Sequence, residues 1–352
     1  MIFIIAGEPS GDFLGASVVR ILKEKNIEIS GVGGKLMENA GMRSLFDIKE
    51  ISVGGIVEII PHILKIKKLI KKTADEILKC KPKVVLTIDS PGFCFRVAKI
   101  VRRKNPNIKI VHLVAPSVWA WRPKRAKHIA KLYDHLLTLF DFEPGYFEKE
   151  GLKTTFVGHP AIETFSFSDN DKDDTLLLMP GSRVQEIKSL LPIFVNVSKK
   201  LGVKNIVIPT LPHLLPLINS LAPGIKTETD ENKKREIYRT SKLAIIASGT
   251  ASLQLALCGC PMVVCYKISN ISYKIIKKLI KIRYISLVNI IFDKPIIPEL
   301  IQDECNVDSI IKSIRSVDNK KQLGYFKDLH MRLQNGMNKP SEKIVEILLG
   351  HI

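Results

Sequence analysis

The chain has 352 residues, 45% hydrophobic and 25% charged, with 54 Lys and Arg against 35 Asp and Glu for a formal net charge of +19. That length and apolar content suit two globular α/β domains and exclude a disordered or fibrous chain. No run approaches the roughly 18 unbroken apolar residues of a membrane span, and Cys80, Cys94, Cys258, Cys260, Cys265 and Cys305 read as reduced core thiols of a cytosolic protein without zinc-site spacing.

The N-terminal MIFIIAGEPSGD lacks a basic leader region, so Ile2 to Ala6 reads as a buried first strand rather than a signal peptide. Gly7 to Gly11 is a tight turn into a helix from about Asp12 to Lys25. It puts the Ser10 hydroxyl and the bare Gly11 backbone at the carboxyl end of strand one, where open α/β sheets bind ligands. Glu8 and Asp12 would repel a pyrophosphate, so this loop suits acceptor hydroxyls better than a nucleotide. Ile27 to Gly34 is a second strand.

Ile51 to Lys72 carries Ile56, Ile59, Ile60, Ile63, Ile66 and Ile70 at helical spacing with lysines between them, and Pro61 should kink it. That pattern fits either a helix covering the sheet or a basic amphipathic surface on anionic lipid. Part of the positive charge is concentrated here, and more lies at Lys274, Lys277, Lys278, Lys281 and Arg283. Such charge suits nucleic acid, anionic lipid or a phosphorylated substrate.

Val84 to Ser90 is a strand that ends in Asp89 and a Pro-Gly turn. Asp89 fits a general base or a helix cap. Ile108 to Ala115 leads into PSVWAWRPKR, which holds both tryptophans, Trp119 and Trp121, beside Arg122, Lys124 and Arg125. That mixture occurs in nucleic-acid binders and equally in a pocket wall. His135 to Phe140 and Thr154 to Val157 are further strands.

The polar run Phe165 to Asp174 reads as an interdomain linker. Its Asp169-Asn170-Asp171 formally matches an Asp-x-Asp metal motif but follows no strand, so no metal site is expected. The pattern then restarts: strand Thr175 to Met179, the turn Pro180 to Arg183, and a helix with Glu186 one turn in. Arg183 at that helix start is placed to clamp a diphosphate. Lys204 to Pro209 and Lys242 to Ala247 are strands. After the latter, Ser248, Gly249 and Thr250 open a short helix that Cys258-Gly259-Cys260-Pro261 stops, before strand Met262 to Tyr266. This βαβ unit puts small residues and a helix N-terminus where phosphate is favoured. Asn289 and the run from Pro298 to Gln302 follow. From about Tyr325 the chain is helical and basic. No Walker A, HExxH, GxSxG or kinase signature occurs.

Two successive doubly wound Rossmann-like domains with a cleft between them resemble the GT-B glycosyltransferases. GEPSGD at Gly7 to Asp12, IDSPGF at Ile88 to Phe93 and PSVWAWRPKR at Pro116 to Arg125 resemble the acceptor-side motifs of bacterial lipid-A-disaccharide synthases. FVGHP, LMPGSR, ASGTASLQLAL with PMVVCYK, and PELIQ resemble that family's domain junction and nucleotide half, in order and up to about Gln302. The resemblance implies an acceptor domain over 1–165, joined by the C-terminal helix 325–352, and a nucleotide-sugar domain over 174–324. It implies condensation of UDP-2,3-diacylglucosamine with 2,3-diacylglucosamine 1-phosphate to the β(1→6) disaccharide and UDP, with no cofactor and no metal.

By the same resemblance Asp89 is the base, with Glu8, Ser10, Gly11, Asp12 and Trp119 on the acceptor side. Arg183, Glu186, Ser248, Gly249, Thr250, Gln254, Asn289, Glu299 and Gln302 belong to the nucleotide-sugar side. Gln254 stands where the family usually has Glu, and Val288 where it tends to have Pro. A cytoplasmic protein peripheral on the inner membrane through residues 51–72 is then expected, without nucleic acid, and a homo-oligomer is compatible. The competing readings are another UDP-sugar enzyme, such as a 2-epimerase or a soluble-acceptor glycosyltransferase, and a non-enzymatic basic protein that binds membrane or nucleic acid.

Overall fold

A computed structural model describes residues 1–51, 63–169, 172–269, 273, 282–336 and 339–352. The chain divides into two compact units, Met1–Pro160 with Leu333–Ile352, and Ala161–Arg332. The polar run 165–174 therefore lies inside the second unit: Phe165 is buried and Asp173 already belongs to a strand.

In the first unit, strands β1 (Ile2–Ala6), β2 (Ile29–Val32), β3 (Val84–Ile88), β4 (Lys109–Leu113), β5 (His135–Thr138) and β6 (Thr154–Phe156) form a parallel sheet in the order β2-β1-β3-β4-β5-β6. β1 and β3 are apolar almost throughout because helices cover both sheet faces. Helix α1 (Pro9–Glu24) begins three residues before the expected Asp12, since proline's fixed φ and missing N–H fit the first helical position. α2 (Lys35–Asn39), α3 (Ile63–Cys80), α4 (Pro91–Lys104), α5 (Arg125–Ala130) and α6 (Pro144–Glu148) follow.

Of the amphipathic stretch 51–72, residues 52–62, with Pro61, lie outside the described residues. The remainder opens α3, whose Leu69, Ile70, Ala74 and Ile77 enter the sheet's core with Phe3, Val85 and Ile110. Lys65, Lys67, Lys68, Lys71 and Lys72 stay exposed, and Leu64 is 74% exposed. One helix thus covers the sheet with one face and presents lysines on the other. No helix among the described residues is long and apolar enough to cross a membrane.

The second unit repeats the design. β7 (Asp173–Met179), β8 (Ile206–Pro209), β9 (Lys226–Glu228), β10 (Ser241–Ala247), β11 (Met262–Tyr266) and β12 (Glu299–Ile301) form a parallel sheet ordered β12-β11-β10-β7-β8-β9. Its helices are α7 (Val184–Leu201), α8 (Leu215–Leu221), α9 (Glu231–Thr240), α10 (Thr250–Leu257), α11 (Leu287–Phe292) and α12 (Val307–Ser316). Phe194, Leu178, Ile245 and Val263 centre its core. α13 (Asn319–Gln334) precedes α14 (Pro340–Leu349), which packs on α1. The strand order in each sheet sets where a ligand can enter: between β1 and β3 in the first, and between β7 and β10 in the second. Successive connections leave those strand pairs in opposite directions and open a crevice at their carboxyl ends.

Candidate active site

At the first crevice the β1 and β3 turns meet. The Ser10 hydroxyl donates to Asp89 Oδ2 at 3.3 Å. A Cβ on Gly7 would lie 2.2 Å from Ser90 Oγ, so only glycine lets the two turns approach this closely. Asp89 and Ser90 both have left-handed backbones, at φ 50° and 46°, and Val114 at the end of β4 has φ 80°. Such conformations cost about 1–3 kcal/mol each and cluster where geometry serves a site. The Asp89 N–H donates to the Leu113 carbonyl at 2.9 Å, which ties the turn to β4. Burial raises the Asp89 pKa, while the Ser90 N–H and the Ser10 hydroxyl pull it down. A half-buried carboxylate with a raised pKa is a stronger proton acceptor.

The other acceptor-side expectations divide. Glu8 and Ser10 are exposed at the start of α1, and Gly11 is packed beneath them. Asp12 is corrected. Its Oδ1 accepts from the N–H of Gly34 and Met37, at 2.8 and 3.1 Å, and its Oδ2 from Leu36 N–H at 3.0 Å. It is 5% exposed and braces α1 against the start of α2, so its carboxylate is not available to an acceptor. Trp119 is half-buried, and its indole N–H donates to Glu143.

At the second crevice the loop Pro180–Arg183 follows β7. Gly181 has φ 104°, and a Cβ there would lie 2.3 Å from Glu186 Oε2. Any other residue would therefore be strained and would displace Glu186. Arg183 caps α7 with an extended backbone, and its guanidinium donates to Glu186 Oε1 at 2.8 Å while its side chain stays 81% exposed. Beside it at the end of β11, burial raises the Tyr266 pKa, Glu186 adds to that and Arg183 opposes it.

After β10 the Ser248 hydroxyl donates to Ile285 O at 3.1 Å. Gly249 and Thr250 are exposed at the start of α10, and a Cβ on Gly249 would meet nothing within 4 Å. Gln254 lies half-exposed one turn further on. Two helix N-termini and an exposed guanidinium on the rim of one crevice offer the donors and positive charge that suit an anion.

Asn289, Glu299 and Gln302, expected on the nucleotide-sugar side, brace the backbone around that rim. Asn289 is fully buried. Its Oδ1 accepts from the N–H of Ile296 and Ile297 at 2.9 Å each, and its amide donates to Ile297 O and Glu299 Oε1 at 2.8 Å each, which uses all its hydrogen-bonding capacity. Glu299 also accepts from the N–H of Ile285 and Ser286, both at 2.9 Å. This holds the segment that Ser248 contacts. Gln302 bonds both backbone groups of Ile268, accepting from its N–H at 2.8 Å and donating to its O at 3.0 Å. Val288 is buried inside α11, whose helical turn needs no proline.

Asn170 and Asp171 lie outside the described residues, as do residues 274–281 of the second lysine cluster. Glu143, buried after β5, and Tyr266, at the end of β11, carry interactions that the sequence does not announce. The signal for Glu143 is an acid placed between a buried strand and the Pro144 that opens a helix.

The model of the lipid-A-disaccharide synthetase family matches residues 2–348. The chain belongs to that family. A Rickettsia prowazekii lipid-A-disaccharide synthase is 42% identical over 345 residues, covering 92% of this chain and 90% of the relative. Among solved structures, a UDP-GlcNAc 2-epimerase from Methanocaldococcus jannaschii superposes with TM-score 0.65 at 14% identity, covering 99% of this chain and all of that one. The calicheamicin glycosyltransferase does so with TM-score 0.65 at 11% identity, covering 99% and 98%. At such identities the likeness concerns fold alone, and that fold is the expected pair of Rossmann-like α/β units.

Proposed function

We propose that this chain is an inverting hexosyltransferase that joins UDP-2,3-diacylglucosamine to 2,3-diacylglucosamine 1-phosphate. The whole-length family match carries this reading, and the two crevices support the roles. Asp89 takes the proton from the acceptor 6-hydroxyl as its oxygen attacks the anomeric carbon. The bond from that carbon to the diphosphate oxygen breaks, and its electron pair leaves with UDP. Ser10 steers the Asp89 carboxylate. Arg183, with the backbone at Ser248, Gly249 and Thr250, stabilises the charge developing on the diphosphate. Glu186 holds the Arg183 guanidinium, and Gln254 offers an amide to the nucleotide.

Both substrates are acylated, so the enzyme works at a lipid surface. We assign residues 51–72 to the contact with the anionic inner membrane from its cytoplasmic side, where among the described residues exposed lysines flank Ile63 and Leu64.

The test is a detergent–lipid assay with both substrates and EDTA. Wild type forms disaccharide and UDP; Asp89→Asn lowers kcat about 10²–10⁴-fold, and Arg183→Ala lowers it about 10²–10³-fold. No turnover by wild type rejects the reaction, and full activity in Asp89→Asn moves the base elsewhere.

A further inference from the structure

A buried acid at the carboxyl edge of the first sheet holds a tryptophan. Glu143 follows β5, caps α6 and is 3% exposed. Its Oε1 accepts from the Trp119 indole N–H at 3.4 Å and its Oε2 from the Phe140 N–H at 3.2 Å. The Trp119 ring stands edge-on to Phe142, with centroids 5.5 Å apart and planes at 80°. Phe142 stacks parallel on Phe140 at 5.7 Å, and Phe140 lies 5.8 Å from the His159 ring. A row of rings thus runs along the carboxyl ends of β4, β5 and β6, and Glu143 is its polar anchor.

Holding a carboxyl there is unfavourable, because burial pushes its pKa up to about 8. Packing alone would be met by leucine, which fills similar volume but leaves two N–H groups without an acceptor. What the acid adds is a fixed angle for the indole. Trp119 hangs from β4, the strand beside β3, whose end carries Asp89.

We infer that Glu143 is a positioning residue, whose carboxyl fixes the Trp119 ring as the acceptor-side wall of the site. This rests on the proposed reaction for what the wall holds, but not for the contact itself.

The contact is read by fluorescence in a Trp121→Phe background, where Trp119 is the sole tryptophan. Glu143→Leu shifts its emission to the red and raises acrylamide quenching about twofold as the indole loses its acceptor. Glu143→Gln, which keeps an acceptor oxygen, restores the parent spectrum. In the assay, Glu143→Leu raises the acceptor KM about tenfold with kcat within about threefold, the donor KM is unmoved, and Glu143→Gln recovers most of the loss.

Emission and acceptor KM both unchanged in Glu143→Leu overturn the inference, as does an equal change in donor and acceptor KM. Should Glu143→Leu not fold, Trp119→Phe carries the test from the other partner. It raises the acceptor KM by a similar factor, and an unaltered acceptor KM overturns the inference. If wild type makes no disaccharide, the proposed reaction falls, and the Glu143 contact still stands or falls on emission.

Discussion

Ser10 and Asp89 are 79 positions apart in sequence and share a hydrogen bond. That bond lowers the Asp89 pKa against the larger raising effect of burial. Ser10→Ala removes it, so the Asp89 pKa rises further. As the proposed base, Asp89 must be ionised to accept a proton, so the acid limb of the pH–rate profile is expected to move to higher pH. A limb that stays put or moves to lower pH would separate Ser10 from the base. Both residues are legible in sequence because each stands in a turn directly after an apolar strand. Asp12 shares that signature and misleads. Its carboxylate is consumed by three backbone N–H groups of the α2 turn, a partner 22 to 25 residues away that no local pattern announces. Glu143 escapes for the converse reason: an acid between a strand and a helix-opening proline reads as an exposed cap, and its burial against Trp119 depends on a residue 24 positions away.

At the scale of elements, α3 shows why periodicity leaves two readings open. Its apolar residues recur at helical spacing, yet spacing does not say which side of the helix meets the sheet. Leu69, Ile70, Ala74 and Ile77 do, and this leaves Lys67, Lys68 and Lys71 in solvent. If that face rests on lipid, the triple variant Lys67→Glu, Lys68→Glu, Lys71→Glu binds phosphatidylglycerol vesicles at least about tenfold more weakly, since each lysine near an anionic surface is worth about 1 kcal/mol. Sedimentation with vesicles at low and high salt reads this, and undiminished binding removes α3 from the membrane contact.

Long apolar strands such as β1, β3 and β11 stand out in sequence. The three-residue β9 and β12 do not, because Lys226–Glu228 is polar throughout and Glu299–Ile301 opens on a charged residue, and both are strands only by pairing with a neighbour. The same blindness covers Asn289 and Glu299. Their place in a nucleotide-side motif is readable, but their work as mutual braces of the rim is not.

For the molecule as a whole, ionisation is unevenly distributed. Burial lowers the pKa of His112 to about 3, and of His135 and His159 to about 4, all in the first unit. Between pH 6.5 and about 4 the unfolded chain takes up protons at these sites that the folded unit refuses, so stability falls as pH falls. Glu143 acts in the opposite sense. Folded, it keeps its proton up to about pH 8, whereas unfolded it gives it up near 4.5, so stability falls as pH rises between those values. Asp89 adds in the same direction. Below pH 6.5 these histidines, with His351 shifted in the same direction, outweigh the carboxyls, and above it Glu143 goes on releasing stability up to about pH 8. The first unit therefore loses stability both toward acid pH and toward pH 8. Trp119 and Trp121 both lie in that unit, so their emission follows its urea unfolding in the intact chain. Glu143→Gln, which cannot titrate, flattens the alkaline side; a maximum above pH 8, or no change in that variant, contradicts the assignment.

The sequence by itself determined the fold class, the family and the string of turns that carry the chemistry, because apolar strands, small-residue turns and helix starts are local and leave local patterns. Tertiary structure alone decided the strand order that brings the β1 and β3 turns together and pairs β7 with β10. It also decided which acids face a crevice and which are spent on the backbone. These are outcomes of burial and of hydrogen bonds between residues far apart in sequence. Asp12, Asp89 and Glu143 are all acids near strand ends in the sequence, and only the packed unit separates one spent on backbone N–H groups, one left at a crevice and one buried against an indole.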